Sequence, residues 1–332
     1  MGECLIVRRG GESYELPVLD ASYPKDVTVT AAANGSASFS VSITTPGRPA
    51  EYTYQWYKNG EAVSGATGNS LTLTGLTAAA TYSIYCKVVN KAGSVNSRTA
   101  VLTVQSYLPA YTYSGSAQLI DDGNFNWRLK LFTSGNLTFS HLGSAGSGMV
   151  DAFLVGGGGA GVGADGGGGG YTQTVSFNIQ KGTPYSIVIG AGGMPYPSFT
   201  PAGTTNAFNA SAAGGFNGGG GGGKGGSGGA SLGGVGGSNG GDGGGSSGGQ
   251  GQGSTTREFG EMSGELYSGG GGGGSTGTTA GGEGGGGRGG WGTSPDKRPF
   301  SGTVNTGGGG GGNYDGTGGA GGSGIVIIRN RR

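Results

Sequence analysis

His141 is the only histidine in the chain, so any Ser-His-Asp or Cys-His relay would have to run through it. It lies between a strand-like run and a glycine turn with no partner motif beside it, and it reads as an exposed turn residue. Glu258, Glu261 and Glu265 are of the type that glycoside hydrolysis pairs as acid and nucleophile. No groove-forming pattern accompanies them, so they read as solvated loop charges. Residues 218–224 imitate a phosphate-binding loop. Gly225, however, stands where a Ser or Thr must hold magnesium, and no apolar strand leads directly into the run. Asp242, in Gly240-Gly241-Asp242-Gly243-Gly244, falls short of a full calcium repeat. Cys4 and Cys86 offer neither a disulfide framework nor a metal spacing. The sequence therefore assigns no catalytic residue, no cofactor and no metal, and the chain is expected not to be an enzyme.

The better candidates for contact chemistry are aromatic. Tyr196, Phe199, Phe259, Tyr267, Trp291, Phe300 and Tyr314 lie amid glycine and polar residues. Aromatic side chains with few rotamers stack on sugar faces or fill protein pockets at low entropic cost. The competing reading is that some of them plug the ends of a glycine scaffold as small hydrophobic caps.

The elements that would position these rings follow from composition. Charged residues are 11% of 332 and the net charge is +1, which announces neither a nucleic-acid surface nor an acidic tail. Arg329, Arg331 and Arg332 read as a solvated terminal cluster. No stretch reaches the ~18 apolar residues of a membrane span, so membrane insertion is not expected. Of the 88 glycines, 72 lie in residues 151–332, a level that ordinarily signals low complexity.

Residues 24–105 alternate as strands do. Phe39, Val41 and Ile43 share one face; Tyr52, Tyr54 and Trp56 another; Tyr82, Ile84 and Cys86 a third. Turn signals at Thr45-Pro46-Gly47 and Lys58-Asn59-Gly60 separate them, which predicts an all-β sandwich. Gln55-Trp56-Tyr57-Lys58-Asn59-Gly60, then Cys86, then Asn90-Lys91-Ala92-Gly93 resembles the Ig superfamily. The resemblance makes Trp56 and Cys86 core residues. With Phe39 or Val41 at the strand B position, no inter-sheet disulfide can form.

Beyond residue 125 the apolar runs are short, β-branched and bounded by glycine, as buried strands are. The last, Ile325-Val326-Ile327-Ile328, is informative, because a flexible glycine tail needs no buried strand at its far end. It is expected to pair beside Phe153-Leu154-Val155, closing the glycine region as one long insertion. Ordering glycine costs roughly 1–2 kcal/mol of backbone entropy per residue. Side-chain burial cannot offset that here, so dense backbone hydrogen bonding must. A three-residue-per-turn extended helix with outward polar groups supplies it. Runs 218–223, 269–274 and 307–312 are expected to be such rods, with loops 194–201, 254–268 and 291–304 and Asn313-Tyr314-Asp315 between them.

The predicted architecture is all-β. A leader or attachment segment spans 1–23 and an Ig-like β-sandwich 24–105. A linker and lead-in strand span 106–125, followed by a glycine-rich domain over 126–332. In that domain a β frame of 126–210 and 324–329 encloses a bundle of packed polyglycine II helices over 211–323.

Phe153-Leu154-Val155-Gly156-Gly157-Gly158-Gly159, Val188-Ile189-Gly190-Ala191-Gly192-Gly193 and the closing Gly321-Gly322-Ser323-Gly324-Ile325-Val326-Ile327-Ile328-Arg329 resemble the glycine-rich domain of phage and prophage tail proteins. The same domain type occurs in the ectodomain of the anaplastic lymphoma kinase receptor, and it is similar in principle to the polyglycine-helix adhesins of T-even-like phage fibres. The resemblance implies a virion adhesin, a tail-fibre protein whose rigid rods display loops to a host surface glycan or membrane protein. Its partners would then be other tail or fibre proteins, with no nucleic acid, and a homotrimer is compatible with fibre architecture. With no signal peptide or myristoylation pattern at residues 1–9, synthesis in a host cytoplasm and release within a virion are expected. The alternative is a spacer or decoration protein of the virion with no receptor contact of its own.

Overall fold

A computed structural model describes residues 6–9, 12–218, 225–226, 228–230, 233–244, 251–295 and 297–332. The run 219–223, and with it most of the phosphate-loop imitation, lies outside the described residues. The fold is all-β and divides into two compact units, 1–109 and 110–332.

The first unit holds β1 (Ile6–Arg9), β2 (Glu12–Glu15), β3 (Val18–Leu19), β4 (Val27–Thr30), β5 (Ser36–Ser40) and β6 (Ile43–Thr45). It continues with β7 (Thr53–Lys58), β8 (Glu61–Ala62), β9 (Ser70–Thr74), β10 (Ala80–Asn90), β11 (Gly93–Asn96) and β12 (Ala100–Gln105). One sheet runs β4-β12-β10-β7-β8, and β5 pairs with β9. Between them lies the core: Phe39 and Leu71 from one side, Trp56, Ile84, Cys86, Val88 and Leu102 from the other. Trp56 and Cys86 sit directly opposite each other on β7 and β10, both fully buried as the sequence predicts. Phe39 fills the place of a bridging cysteine, and burial pushes the lone Cys86 thiol up to about 11.

The expected leader is not separate from this sandwich along its whole length. Val18 and Leu19 pair with Thr45 and Ile43, and Glu15 exchanges backbone hydrogen bonds with Arg48 at 3.1 and 2.9 Å. The amide of Asn90 also donates to the Glu15 carbonyl.

The second unit begins inside the segment expected as a linker. Its strands are β13 (Ala110–Tyr113), β14 (Ala117–Gly123), β15 (Asn126–Leu131), β16 (Gly135–His141), β17 (Met149–Val155), β18 (Thr172–Asn178), β19 (Pro184–Ile187), β20 (Thr205–Ala207), β21 (Ala210–Ala212) and β22 (Ile325–Asn330). The sheets run β14-β15-β22-β17-β18 and β13-β16-β19. Strand β15 alternates, with Trp127, Leu129 and Leu131 buried, as a strand with one face on a core does. The final strand β22 is central, and all six of its residues are buried. A strand covered on both faces reads as a continuous apolar run, which is the Ile325–Ile328 signature. It pairs antiparallel with β17, Phe153 opposite Ile327 and Val155 opposite Ile325. The glycine region is thus an insertion between two neighbouring strands.

Inside that insertion the backbone forms short segments outside helices and strands, and their hydrogen bonds repeat every third residue. Gly167 and Gly170 donate to Gly310 and Gly307; Gly166 and Gly169 donate to Gly229 and Gly226; Gly168 and Tyr171 donate to Phe216 and Ala213. Segment 269–274 does the same toward three others. Gly269 and Gly272 reach Gly284 and Gly287, Gly270 and Gly273 reach Gly237 and Gly234, and Gly271 and Gly274 reach Gly167 and Ala164.

Segment 307–312 is the most surrounded. Its carbonyls at 307 and 310 accept from Gly170 and Gly167, those at 308 and 311 from Gly322 and Gly319, and those at 309 and 312 from Gly287 and Gly290. Its amides at 309 and 312 donate to Gly269 and Gly272, that of 310 to Gly159 and that of 311 to Phe300, all at 2.7–2.9 Å. Six neighbouring segments therefore bond to this one. Such contact leaves no room for side chains: a Cβ on Gly310 would fall on the Gly319 carbonyl oxygen, and one on Gly271 on that of Gly310. Glycine is required there by the closeness of the neighbouring backbone.

Candidate binding surface at the far end of the glycine segments

Segment 156–161 continues β17 outward, and segment 318–324 runs back into β22, so one end of the bundle abuts the frame. Hydrogen bonds from Gly310 to Gly159 and from Asn313 to Gly163 run 309–313 in the same direction as 159–163. Those from Gly287 and Gly290 to Gly309 and Gly312 orient 287–290 likewise. These segments consequently finish together, away from β17 and β22. Gly290 bridges to Asn313, and the Asn313 amide donates to the Gly292 carbonyl at 3.3 Å and to Thr317 Oγ1 at 2.9 Å. Trp291 and Tyr314 follow directly on these two segments.

Of the seven aromatic candidates, the structure brings two groups to different places. Tyr314 is 64% exposed and Trp291 38%, both at the far end. Tyr196, 67% exposed, and Phe199 form an edge-to-face pair with centroids 5.8 Å apart. Their loop is tied to the same part of the bundle by Asn217, which donates to the Thr200 carbonyl and accepts from the Ala160 amide. Phe300 is exposed on the flank, its backbone bonded between Arg288 and Gly311.

Two rings are partly covered by cations: Lys297 Nζ lies 4.4 Å from the Trp291 centroid and the Arg288 guanidinium 4.0 Å from that of Phe300. Sequence reasoning missed these cations, as it missed exposed Met194 and Val304 in the same loops. The six-residue spacing of Trp291 and Lys297 was the available signal.

Phe259 and Tyr267 do not belong to this surface. They lie at the frame end, where Tyr267 is buried, and the rings of Phe259 and Tyr267 pack on Phe153 with centroids 5.9 and 5.5 Å away. They cover the face of β17 and β22 that the other sheet leaves open, which is the cap reading.

Of the carboxylates beside them, Glu258 is not solvated, whereas Glu261 and Glu265 keep contact with solvent, and all three are paired. Glu258 is 3% exposed and pairs with Arg128 at 2.7 Å, Glu265 with Lys130 at 2.8 Å and Glu261 with Arg329 at 2.5 Å. Nor are Arg329 and Arg332 a free tail, since Arg329 is buried beside Asp151 and Arg332 meets Asp122 at 2.6 Å. The hydrogen bond from Lys130 holds the Glu265 carboxyl below its ordinary range, with Tyr267 adding to it. Burial first, then the charges of Glu258 and Glu265, pushes the Tyr267 hydroxyl far above its ordinary value. Hydrogen bonding to Asp122, and secondarily to Glu258, raises Arg128. The shifts at Glu265, Tyr267 and Arg128 each favour the form that group already holds at neutral pH, which suits a structural clamp.

His141 is not an exposed turn residue: it ends β16, half-buried, opposite Ala110. Asp242 accepts from the Gly251 amide at 2.7 Å. Among the described residues no group of three or more His, Cys, Asp or Glu is placed to hold a metal ion, and no helix is long and apolar enough to cross a membrane.

A family model described as glycine-rich domain matches residues 133–331. The chain belongs to the glycine-rich domain family. The matched span runs from before β16 through β22, so it takes in the glycine insertion with the strands that bracket it, leaves out β13, β14 and β15, and covers more than half of the sequence. No curated protein matches the chain.

Proposed function

We propose that this glycine-rich domain protein is a virion adhesin: a tail-fibre or receptor-binding protein, carried on a phage particle, whose scaffold presents the far-end loops to a host surface glycan or membrane protein. We also read the glycine segments as polyglycine II helices, a reading supported by the three-residue repeat of their hydrogen bonds. One observation carries the functional reading. At the frame end Tyr267 is buried and Phe259 partly so, whereas Tyr196, Phe199, Trp291 and Tyr314 are exposed on loops that join hydrogen-bonded glycine segments. Exposed aromatics on a preordered support bind with little entropy to lose. Other tail or fibre proteins would anchor the chain, and neither nucleic acid nor membrane insertion enters this role.

The test is binding of labelled protein to a panel of intact bacterial strains, with Trp291→Ala and Tyr314→Ala introduced together. Adhesion to at least one strain that falls about tenfold in the double variant supports the reading, since two aromatic anchors are worth about that much. The spacer or decoration reading is favoured by the cations over Trp291 and Phe300, which already occupy part of each ring. Adhesion to no strain, or adhesion indifferent to both substitutions, selects it.

A further inference from the structure

A second feature of the frame points to a ligand independently of the far-end loops. Strand β18 ends one sheet and β19 ends the other. The hairpin of β20 and β21 is held to the end of β19 by the backbone pair of Val188 and Asn206, at 2.9 and 2.8 Å, and to β18 by the Ser211 backbone amide, which donates to Gln173 Oε1 at 3.2 Å. Between them opens a cleft of about 620 Å³, within the range of small-molecule sites.

Three mutually packed rings line it. Phe177 and Phe208 are 5.1 Å apart, Phe177 and Tyr185 5.6 Å and Tyr185 and Phe208 5.5 Å. Phe208 holds an unusual backbone for its type. It and Asn209 are the two loop residues of the hairpin, with φ of 51° and 60°, where glycine or asparagine is the usual choice at both positions. Keeping phenylalanine in the left-handed region places its ring, 6% exposed, beneath the cleft.

The remaining lining sets the chemistry. Asn206, Asn209, Ser186 and Ser211 contribute amides and hydroxyls, and no lining residue carries a charge at neutral pH. The Tyr185 oxygen accepts from the Gln180 amide at 2.7 Å, which leaves its proton to donate. An aromatic floor with a neutral rim of paired donors and acceptors is complementary to a ring with one apolar face and hydroxyl edges. We propose that this cleft is a second binding site and that its ligand is a neutral saccharide.

The experiment is saturation-transfer NMR of the whole chain with maltotriose, cellotriose and chitotriose, and with trigalacturonate as an anionic comparison. At least one neutral trisaccharide should receive saturation and show a measurable Kd. Phe177→Leu, which keeps apolar bulk but removes the ring, should weaken it about tenfold. Asn206→Ala, at an exposed position that does not threaten folding, should weaken it several-fold, and Trp291→Ala should leave it unchanged. If Phe177→Leu does not fold, Asn206→Ala decides alone. Transfer to none of the neutral sugars, binding of trigalacturonate only, or binding indifferent to Asn206→Ala would overturn the proposal. Transfer that is lost in Trp291→Ala but kept in Asn206→Ala would place the sugar on the far-end loops and would likewise overturn the proposal, while leaving the proposed function standing.

Discussion

Phe153 and Ile327 face each other in antiparallel register on adjacent strands, one just before the glycine region and one just after it. That pair fixes both ends of the insertion in one sheet. It also explains where the rings of Phe259 and Tyr267 go, because the face Phe153 and Ile327 present needs a cover.

The packing of the segments makes glycine identity testable. Gly310→Ala would drive a methyl onto the Gly319 carbonyl, whereas Gly277 has nothing within 4 Å of an added Cβ. Thermal unfolding should register a loss of about 3 kcal/mol for Gly310→Ala, in the upper range of overpacking costs. Gly277→Ala should change stability by less than about 0.5 kcal/mol. Equal, small effects at both positions would mean that the segments are not closely packed.

The clamp of Glu258 on Arg128 ties the 254–268 loop to β15. Glu258→Gln should destabilise by about 2 kcal/mol, since it weakens a charge-assisted bond from a buried carboxylate to half-buried Arg128, which keeps Asp122. Chemical denaturation with and without the substitution measures this. An unchanged midpoint would contradict the clamp.

The same cluster sets a pH dependence with a defined sign. The folded Glu265 carboxyl titrates below its ordinary value of 4.5, so its contribution is present above that value and is lost as pH falls through the lower folded one. Tyr267 is raised from 10.0, so its contribution is intact below that value and stability declines once the unfolded hydroxyl ionises above it. Melting temperature against pH should fall on both limbs. Glu265→Gln should flatten the acid limb and Tyr267→Phe the alkaline one; limbs indifferent to these substitutions would refute the assignment.

Cys86 should be inert in the folded state. Its thiol is fully buried and pushed up to about 11, and only the thiolate reacts. In a Cys4→Ser background, a thiol-specific reagent should label Cys86 at the rate of global unfolding. Rapid labelling without denaturant would show that the core opens locally.

Much of this fold was legible in residue pattern. Alternation announced the strands of the first unit, the Ig-like resemblance made Trp56 and Cys86 its core, and the β-branched Ile325–Ile328 run revealed its own burial and its partner strand. The glycine runs announced backbone packing because nothing else could offset their entropy. What the sequence hid is long-range. A glutamate amid glycine and serine looks solvated until a distant strand supplies Arg128, and no local spacing records that meeting. For the same reason Phe259 and Tyr267 could not be told from Trp291 and Tyr314: all four sit in polar loops, and only the direction of each backbone segment decides which end it reaches. The cleft at Phe177, Tyr185 and Phe208 escaped because its rings come from three separate elements.

Amide hydrogen exchange across the second unit is the most direct test of the bonded-scaffold account. Glycine amides exchange quickly when free, so protection of Gly167, Gly271, Gly287 and Gly310 comparable to that of β17 and β22, with fast exchange at Tyr196, Thr293 and Tyr314, is the result expected. Uniformly fast exchange across residues 269–274 and 307–312 would contradict it and make the region a tether that could hold no loop in place.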